Sequence, residues 1–307
     1  MIITKQTNVS LIYVPIHYGG GHSGASLGPA AVKATNLNKL LNFQGITVVG
    51  EVDIEVPSVE DINIKNPKLR YLDQIVQVCN SVALATQKAL EQGSFPVIIG
   101  GDHSFAIGSI AGASNFYRKQ NKELGLIWFD AHGDMNTQET SLSGNIHGMP
   151  LAKTVGFGDS NLTQIYGYKP KVKSENTVLI GLRDVDEEEK KIIKKSEIIS
   201  YTMSDIDHIG INEILEKSVK ALNQNVEAIH VSFDLDVIDP QYAPGVSTPV
   251  DGGINFRESM QIMSYLAQYG KICSLDIAEL NPLNDIKNKT GELACNLILT
   301  CLGKNML

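Results

Sequence analysis

Seven apolar runs recur along the chain: VSLIYVPI (9–16), ITVVGEV (46–52), FPVIIGG (95–101), LGLIWFD (124–130), NTVLIGL (176–182), AIHVSFD (228–234) and ICSLDIA (272–278). None alternates cleanly between apolar and polar residues. Nearly continuous apolar runs of this length suit strands covered on both faces, as in parallel sheets. Helical patterns lie between several of them. The clearest spans 67–92, with Asn66 placed to cap it, Pro67 at its first position and Gly93 to end it. Others cover 212–223 and 256–268. This alternation predicts an α/β fold, one domain over 1–307, with three α/β/α layers and a mostly parallel central sheet.

Such a chain can bury a large core, since its length lets it hide roughly 75% of its unfolded surface. The net charge of -8 argues against nucleic acid, which demands Lys and Arg to displace counterions. It is compatible with a small cationic ligand. No stretch approaches the ~18 apolar residues of a membrane span. Cys79, Cys273, Cys295 and Cys301 show no C-x-x-C spacing, which predicts buried free thiols, a reducing compartment and a cytoplasmic location.

Ligands of open α/β sheets bind beyond the carboxyl ends of the strands. Four of those ends carry acids or histidines: Asp102 and His103, the stretch DAHGD (130–134), Asp234 with Asp236 and Asp239, and Glu279. In extended chain, residues two apart share a face, which pairs Asp130 with His132 and Asp234 with Asp236. Carboxylates gathered this way repel one another unless cations neutralise them. His103, Asp130, His132, Asp134, Asp234 and Asp236 make a mostly oxygen ligand set without thiolate, too large for one four-coordinate zinc. They suit two hard or borderline cations such as Mn²⁺, which can share a bridging water and hold hydroxide at neutral pH. Each motif alone is more often a solvated turn, but three strand ends must then be coincidental together. His230 lies inside its strand and reads as a buried, hydrogen-bonded histidine. GGGHSG (19–24) satisfies G-x-G-x-x-G, yet the ribose-binding acid it needs about 20 residues on comes late, so it reads as a loop bordering the site. The charge run 186–197 reads as a solvated helix face with Glu187 facing Lys191. Asp186 or Asp184 would start that helix.

The blocks GGDHS, DAHGD and SFDLDVIDP resemble the signatures of the ureohydrolases, binuclear manganese amidinohydrolases. GGDHSFAIGSIAG, LIGLRDVDEEE, APGVSTPVDGG and LDIAELNP extend the likeness over most of the chain, and SGNIHG (143–148) is similar to the arginase branch. The resemblance implies an arginase-like fold, two Mn²⁺ per subunit and a homo-oligomer, trimer or hexamer. It implies that Asn136, Ser141 and Ser143 bind the α-carboxylate of L-arginine, and that Asn145, Asp186 and Glu189 surround its α-amino group. Thr248 would line the site, His147 would shuttle protons and Glu279 would face the guanidinium. Ser141 stands where many relatives carry Thr, Val237 where Gly is frequent and Ser247 where Gly is usual.

The implied reaction is hydrolysis of L-arginine to L-ornithine and urea by hydroxide bridging two Mn ions, with Asp134 orienting it. Alternatives are another ureohydrolase (agmatinase, guanidino-acid hydrolase or formimidoylglutamase) or a catalytically silent metal-binding homologue.

Overall fold

The apolar runs become strands that are joined side by side. A computed structural model describes residues 8–59, 62–223 and 226–303. In it the strands are β1 Asn8–Val14, β2 Thr47–Asp53, β3 Phe95–Gly100, β4 Leu124–Phe129, β5 Thr177–Leu182, β6 Ile199–Thr202, β7 Ala228–Asp234 and β8 Ile272–Ala278. They form one eight-stranded sheet in the order β2-β1-β3-β8-β7-β4-β5-β6, and every neighbouring pair is parallel.

Side chains of each strand divide between two layers, as the twofold period of a strand requires. Leu11 and Tyr13 of β1, Phe129 of β4 and Phe233 of β7 pack in one cluster with helices Phe256–Tyr269 and Lys289–Cys301. On the other face, Ile12 and Ile98 meet helix Leu72–Glu91. Trp128 and Leu179 there meet helices Ala106–Arg118 and Pro150–Thr154. The fold is therefore α/β in three layers. All four cysteines are buried and free.

Three expectations need correction. The first long helix begins at Leu72, after Tyr71 in a left-handed conformation (φ 55°), and not at Pro67. Asn66 instead accepts from the Lys68 amide in a preceding turn. That turn is committed elsewhere: the Lys68 ammonium donates to the Ser141 carbonyl and the Arg70 amide to the Gly144 carbonyl. Second, β2 is an edge strand and largely exposed. Its Asp53 pairs with Lys33, and Glu51 accepts from Asn38, charged and polar groups of the kind that blunt an open edge. Third, β6 at the opposite edge had no apolar run to announce it, because only alternate residues of Ile199–Thr202 are even partly covered.

The order of the strands matters for chemistry. Strands β3, β8, β7 and β4 are contiguous. Their carboxyl ends are the four that carry His103, Glu279, Asp234 and Asp130.

Candidate metal centre and active site

His103 is set by the exit from β3. The chain turns sharply past the end of β1, where Gly101 donates its amide to the Val14 carbonyl at 2.9 Å. A Cβ on Gly101 would lie 1.8 Å from the Ile16 carbonyl oxygen, so only glycine fits. Asp102 then accepts from the Ser104 amide at 3.1 Å and from the Gly19 amide at 2.9 Å. The His103 ring stacks on Trp128 with centroids 4.1 Å apart, and its Nε2 pairs with the Ser232 hydroxyl at 2.9 Å. Nδ1 is left facing the carboxylates. It lies 2.9 Å from Asp234 Oδ2 and 3.4 Å from both Asp130 Oδ2 and Asp134 Oδ2, yet it makes no hydrogen bond.

DAHGD leaves β4 beside it. Asp130 Oδ2 accepts from the Trp128 indole at 2.9 Å and Oδ1 from the His132 amide at 2.7 Å. His132 Nδ1 stands 3.1 Å from Asp236 Oδ2 and 3.4 Å from Asp130 Oδ1. Asp134 takes a left-handed backbone (φ 50°). From β7, Asp234 accepts from the Asp236 amide at 2.8 Å, and Asp236 accepts from Thr248 Oγ1 at 3.1 Å. Ligand atoms fall into two groups, His103 with Asp130 and Asp134, and Asp130 with His132 and Asp236, each within 4.8 Å. Asp130 belongs to both, so it is placed to bridge.

The protein alone tolerates this crowd poorly. Burial, then the charge of Asp130, pushes the Asp134 carboxyl well above its ordinary range. Burial, then Asp236, does the same to Asp234. Burial alone would lower His103, but Asp130 and Asp234 outweigh it and hold the imidazole well above its usual value. His132 is raised in the same way, by Asp236 and Asp130 against burial. Protons therefore stand in for missing positive charge, and divalent cations would supply it without them. The unpartnered His103 Nδ1 and the buried, unpartnered Asp134 Oδ2 fit that use. Carboxylate oxygen with imidazole and no thiolate suits hard or borderline divalent cations.

Glu279 closes the site from β8. It too has a left-handed backbone (φ 64°), and its amide donates to the Gly101 carbonyl at 2.7 Å. Oε1 accepts from the His103 amide at 2.8 Å and lies 3.1 Å from His147 Nδ1. Oε2 is buried and unpartnered. Burial would raise the Glu279 carboxyl, but the His147 contact outweighs it and holds the group below its usual range. Burial would lower His147, which Glu279 instead raises.

A cavity of about 240 Å³ opens here, lined by His103, His132, Asp134, Asn136, His147, Asp186, Glu189, Asp234, Asp236, Thr248 and Glu279, together with Gly148 and Asp184. Asp130 lies behind them, bridging the two ligand groups. Asn136 donates to Asp186 at 2.8 Å. Asp186, not Asp184, caps helix Glu187–Lys195 in a reciprocal capping box with Glu189. Burial pushes Glu189 up to about 7. The charge run is thus a solvated face with one buried acid turned into the site. Its ion pairs are Glu187–Lys190 and Glu188–Lys191, three residues apart and not four. Ser141, Ser143 and Asn145 do not line the cavity. Ser141 Oγ accepts from the Gly144 amide at 2.9 Å, Ser143 Oγ from the Asn145 amide at 3.2 Å, and Asn145 donates to the Gly20 carbonyl at 3.1 Å.

His230 is buried and bonded to Ser274 at 2.7 Å and Asp276 at 2.9 Å, as its place within a strand suggests. The GGGHSG loop borders the site: a Cβ on Gly20 would meet His147 Nδ1 at 3.0 Å. Val237 packs against Gly181, and Ser247 Oγ accepts from Asn281 at 3.3 Å. Sequence reasoning passed over Trp128, Ser232 and Arg183, and read Asp184 only as a possible helix cap. Asp184 Oδ2 stands 3.8 Å from His132 Nε2. The Arg183 guanidinium donates to the carbonyls of Asp236 at 2.6 Å and Val250 at 2.7 Å, which fixes the loop after β7.

A family model described as "Arginase family" matches residues 7–303. The arginase of Bacillus subtilis is 42% identical over 301 residues, spanning 97% of this chain and 99% of that protein. The arginase of Bacillus caldovelox is 41% identical over 300 residues, with 97% and 99% covered. The solved native structure of the Bacillus caldovelox arginase superposes with a TM-score of 0.93 at 40% identity, covering 98% of this chain and 100% of that one.

Proposed function

The chain belongs to the arginase family, and on that premise we propose that it hydrolyses the guanidinium group of L-arginine to L-ornithine and urea. The observation that carries this reading is the convergence of both ligand groups on one cavity, with the free Glu279 Oε2 in its wall.

His103, Asp130, His132, Asp134, Asp234 and Asp236 would hold two divalent cations, Mn²⁺ by resemblance. When bound, these would lower the pKa of a shared water and so supply hydroxide at neutral pH. Glu279 Oε2 would accept from the guanidinium, balance its charge and fix its plane. Asp134 would accept a hydrogen bond from the attacking water and aim it at the guanidinium carbon. His147 would pass a proton to the departing δ-nitrogen of ornithine, with Glu279 Oε1 holding its ring in place. Asn136, Asp186, Glu189 and Thr248 would receive the amino-acid end of the substrate, with Ser141, Ser143 and Asn145 in the loop above. A trimeric or hexameric assembly in the cytoplasm completes the reading.

Urea release from L-arginine with added Mn²⁺ tests it, beside agmatine and an Asp130→Ala control. Activity on L-arginine that the control loses supports the reading. Equal or greater activity on agmatine would overturn it.

A further inference from the structure

The cavity wall is electrostatically one-sided. Seven carboxylates line it, and no lysine or arginine does among the described residues. A guanidinium is welcome there. Asp134, Asp234 and Asp236 would be matched by the cations they hold, which leaves Asp184, Asp186, Glu189 and Glu279. An α-amino acid also brings a carboxylate, which a cation near the loop that receives it would help to seat.

One candidate is tied to that loop. Lys68 lies 73 positions before Ser141, and its ammonium donates to the Ser141 carbonyl at 2.8 Å. Beside it, the Arg70 amide donates to the Gly144 carbonyl at 3.0 Å. The two segments touch backbone to backbone, for a Cβ on Gly144 would lie 1.8 Å from the Pro67 carbonyl oxygen. From Ser141 the hold continues inward. Its amide donates to the Thr137 carbonyl at 2.9 Å, and Thr140 Oγ1 donates at 2.8 Å to Asn136, which lines the cavity. The charge is also free. Lys65 is paired with Asp73 at 2.8 Å, whereas Lys68 faces no carboxylate among the described residues.

We propose that Lys68 is the positioning residue that lets this site accept a substrate carrying an α-carboxylate. The inference rests on the reading of the site as one that hydrolyses L-arginine. Lys68 fixes the turn that carries Asn136 and lends it positive charge, while the guanidinium end is left to the acids.

Lys68→Met, Lys68→Gln and Lys68→Arg in the manganese-loaded enzyme test it. Lys68→Met should raise KM for L-arginine roughly five- to ten-fold and leave kcat within about twofold, the pattern of lost binding rather than lost chemistry. Lys68→Gln keeps a donor without the charge and should behave like Lys68→Met, and Lys68→Arg should restore KM. Inhibition by L-ornithine should weaken by the same factor, and inhibition by putrescine, which lacks the carboxylate, should stay unchanged. An unchanged KM, an equal loss for ornithine and putrescine, or failure of Lys68→Arg to restore KM would each overturn the role of Lys68 alone. A wild-type enzyme that releases no urea from L-arginine would overturn the reaction itself, and this proposal with it.

Discussion

Asp134 and Glu279 stand in the site with left-handed backbones, φ 50° and 64°. Such conformations cost a residue with a side chain about 1–2 kcal/mol, and they persist where the surroundings over-determine them. Asp134 carries a second cost: burial, then the charge of Asp130, disfavours its ionised form in the metal-free fold. Asp134→Asn removes the ionisable group and tolerates the backbone. The metal-free variant should be more stable than wild type by roughly 1–3 kcal/mol in denaturant unfolding at pH 7, while urea release falls at least a hundredfold or so. Lys153 offers a contrast. It is fully buried with no partner for Nζ, and burial pushes its pKa down to about 8 from 10.5. Below pH 8 both folded and unfolded chains hold the proton, so the folded state bears the full penalty. Between pH 8 and 10.5 only the unfolded chain keeps it, and stability gains as pH rises. Lys153→Met should therefore stabilise the protein at pH 7 by roughly 3 kcal/mol, an advantage that shrinks as unfolding is repeated toward pH 10. The six proposed ligands were legible as residues because each follows an apolar run. Trp128 was not, since an indole in an apolar run reads as core. Its stacking on His103 and its bond to Asp130 need the third dimension.

At the scale of elements, the strands were legible because burial on both faces leaves no polar alternation. Two begin and end as the runs do, β7 and β8, and β3, β4 and β5 differ from theirs by one residue at one end. The helix start at Leu72 was not legible. Asn66 and Pro67 form a sound local signal, but the turn they belong to is docked on residues 141–144, and tertiary contact overrides propensity. The charge run was legible only in part, because Glu187 and Glu188 are solvated while Glu189, which the resemblance had put at the site, turns inward to the Met135 amide at 3.0 Å. The docking of turn and loop can be broken at one atom. Gly144→Ala puts a Cβ against the Pro67 carbonyl and strains φ +71°. It should cost about 2–4 kcal/mol in thermal unfolding and raise KM for L-arginine, with the metal content unchanged by elemental measurement.

For the whole molecule, the proposed metal centre joins strands that are distant in sequence. Binding to the folded state alone stabilises it by mass action, roughly 3–4 kcal/mol at a hundred to a thousand times Kd. Chelation should lower Tm by several degrees and abolish urea release, and Mn²⁺ should restore both. The sheet order adds a consequence in time. Strand β8, residues 272–278, lies between β3 and β7, so it separates the His103 strand from those of Asp130 and Asp234. All six proposed donors are synthesised by residue 236, yet the slot between the two half-sheets stays unfilled until β8 emerges. A chain halted before Ile272 should hold no metal in equilibrium dialysis. Cation uptake is expected to be a late event on the ribosome, scheduled by the arrival of one strand and not by the making of the ligands.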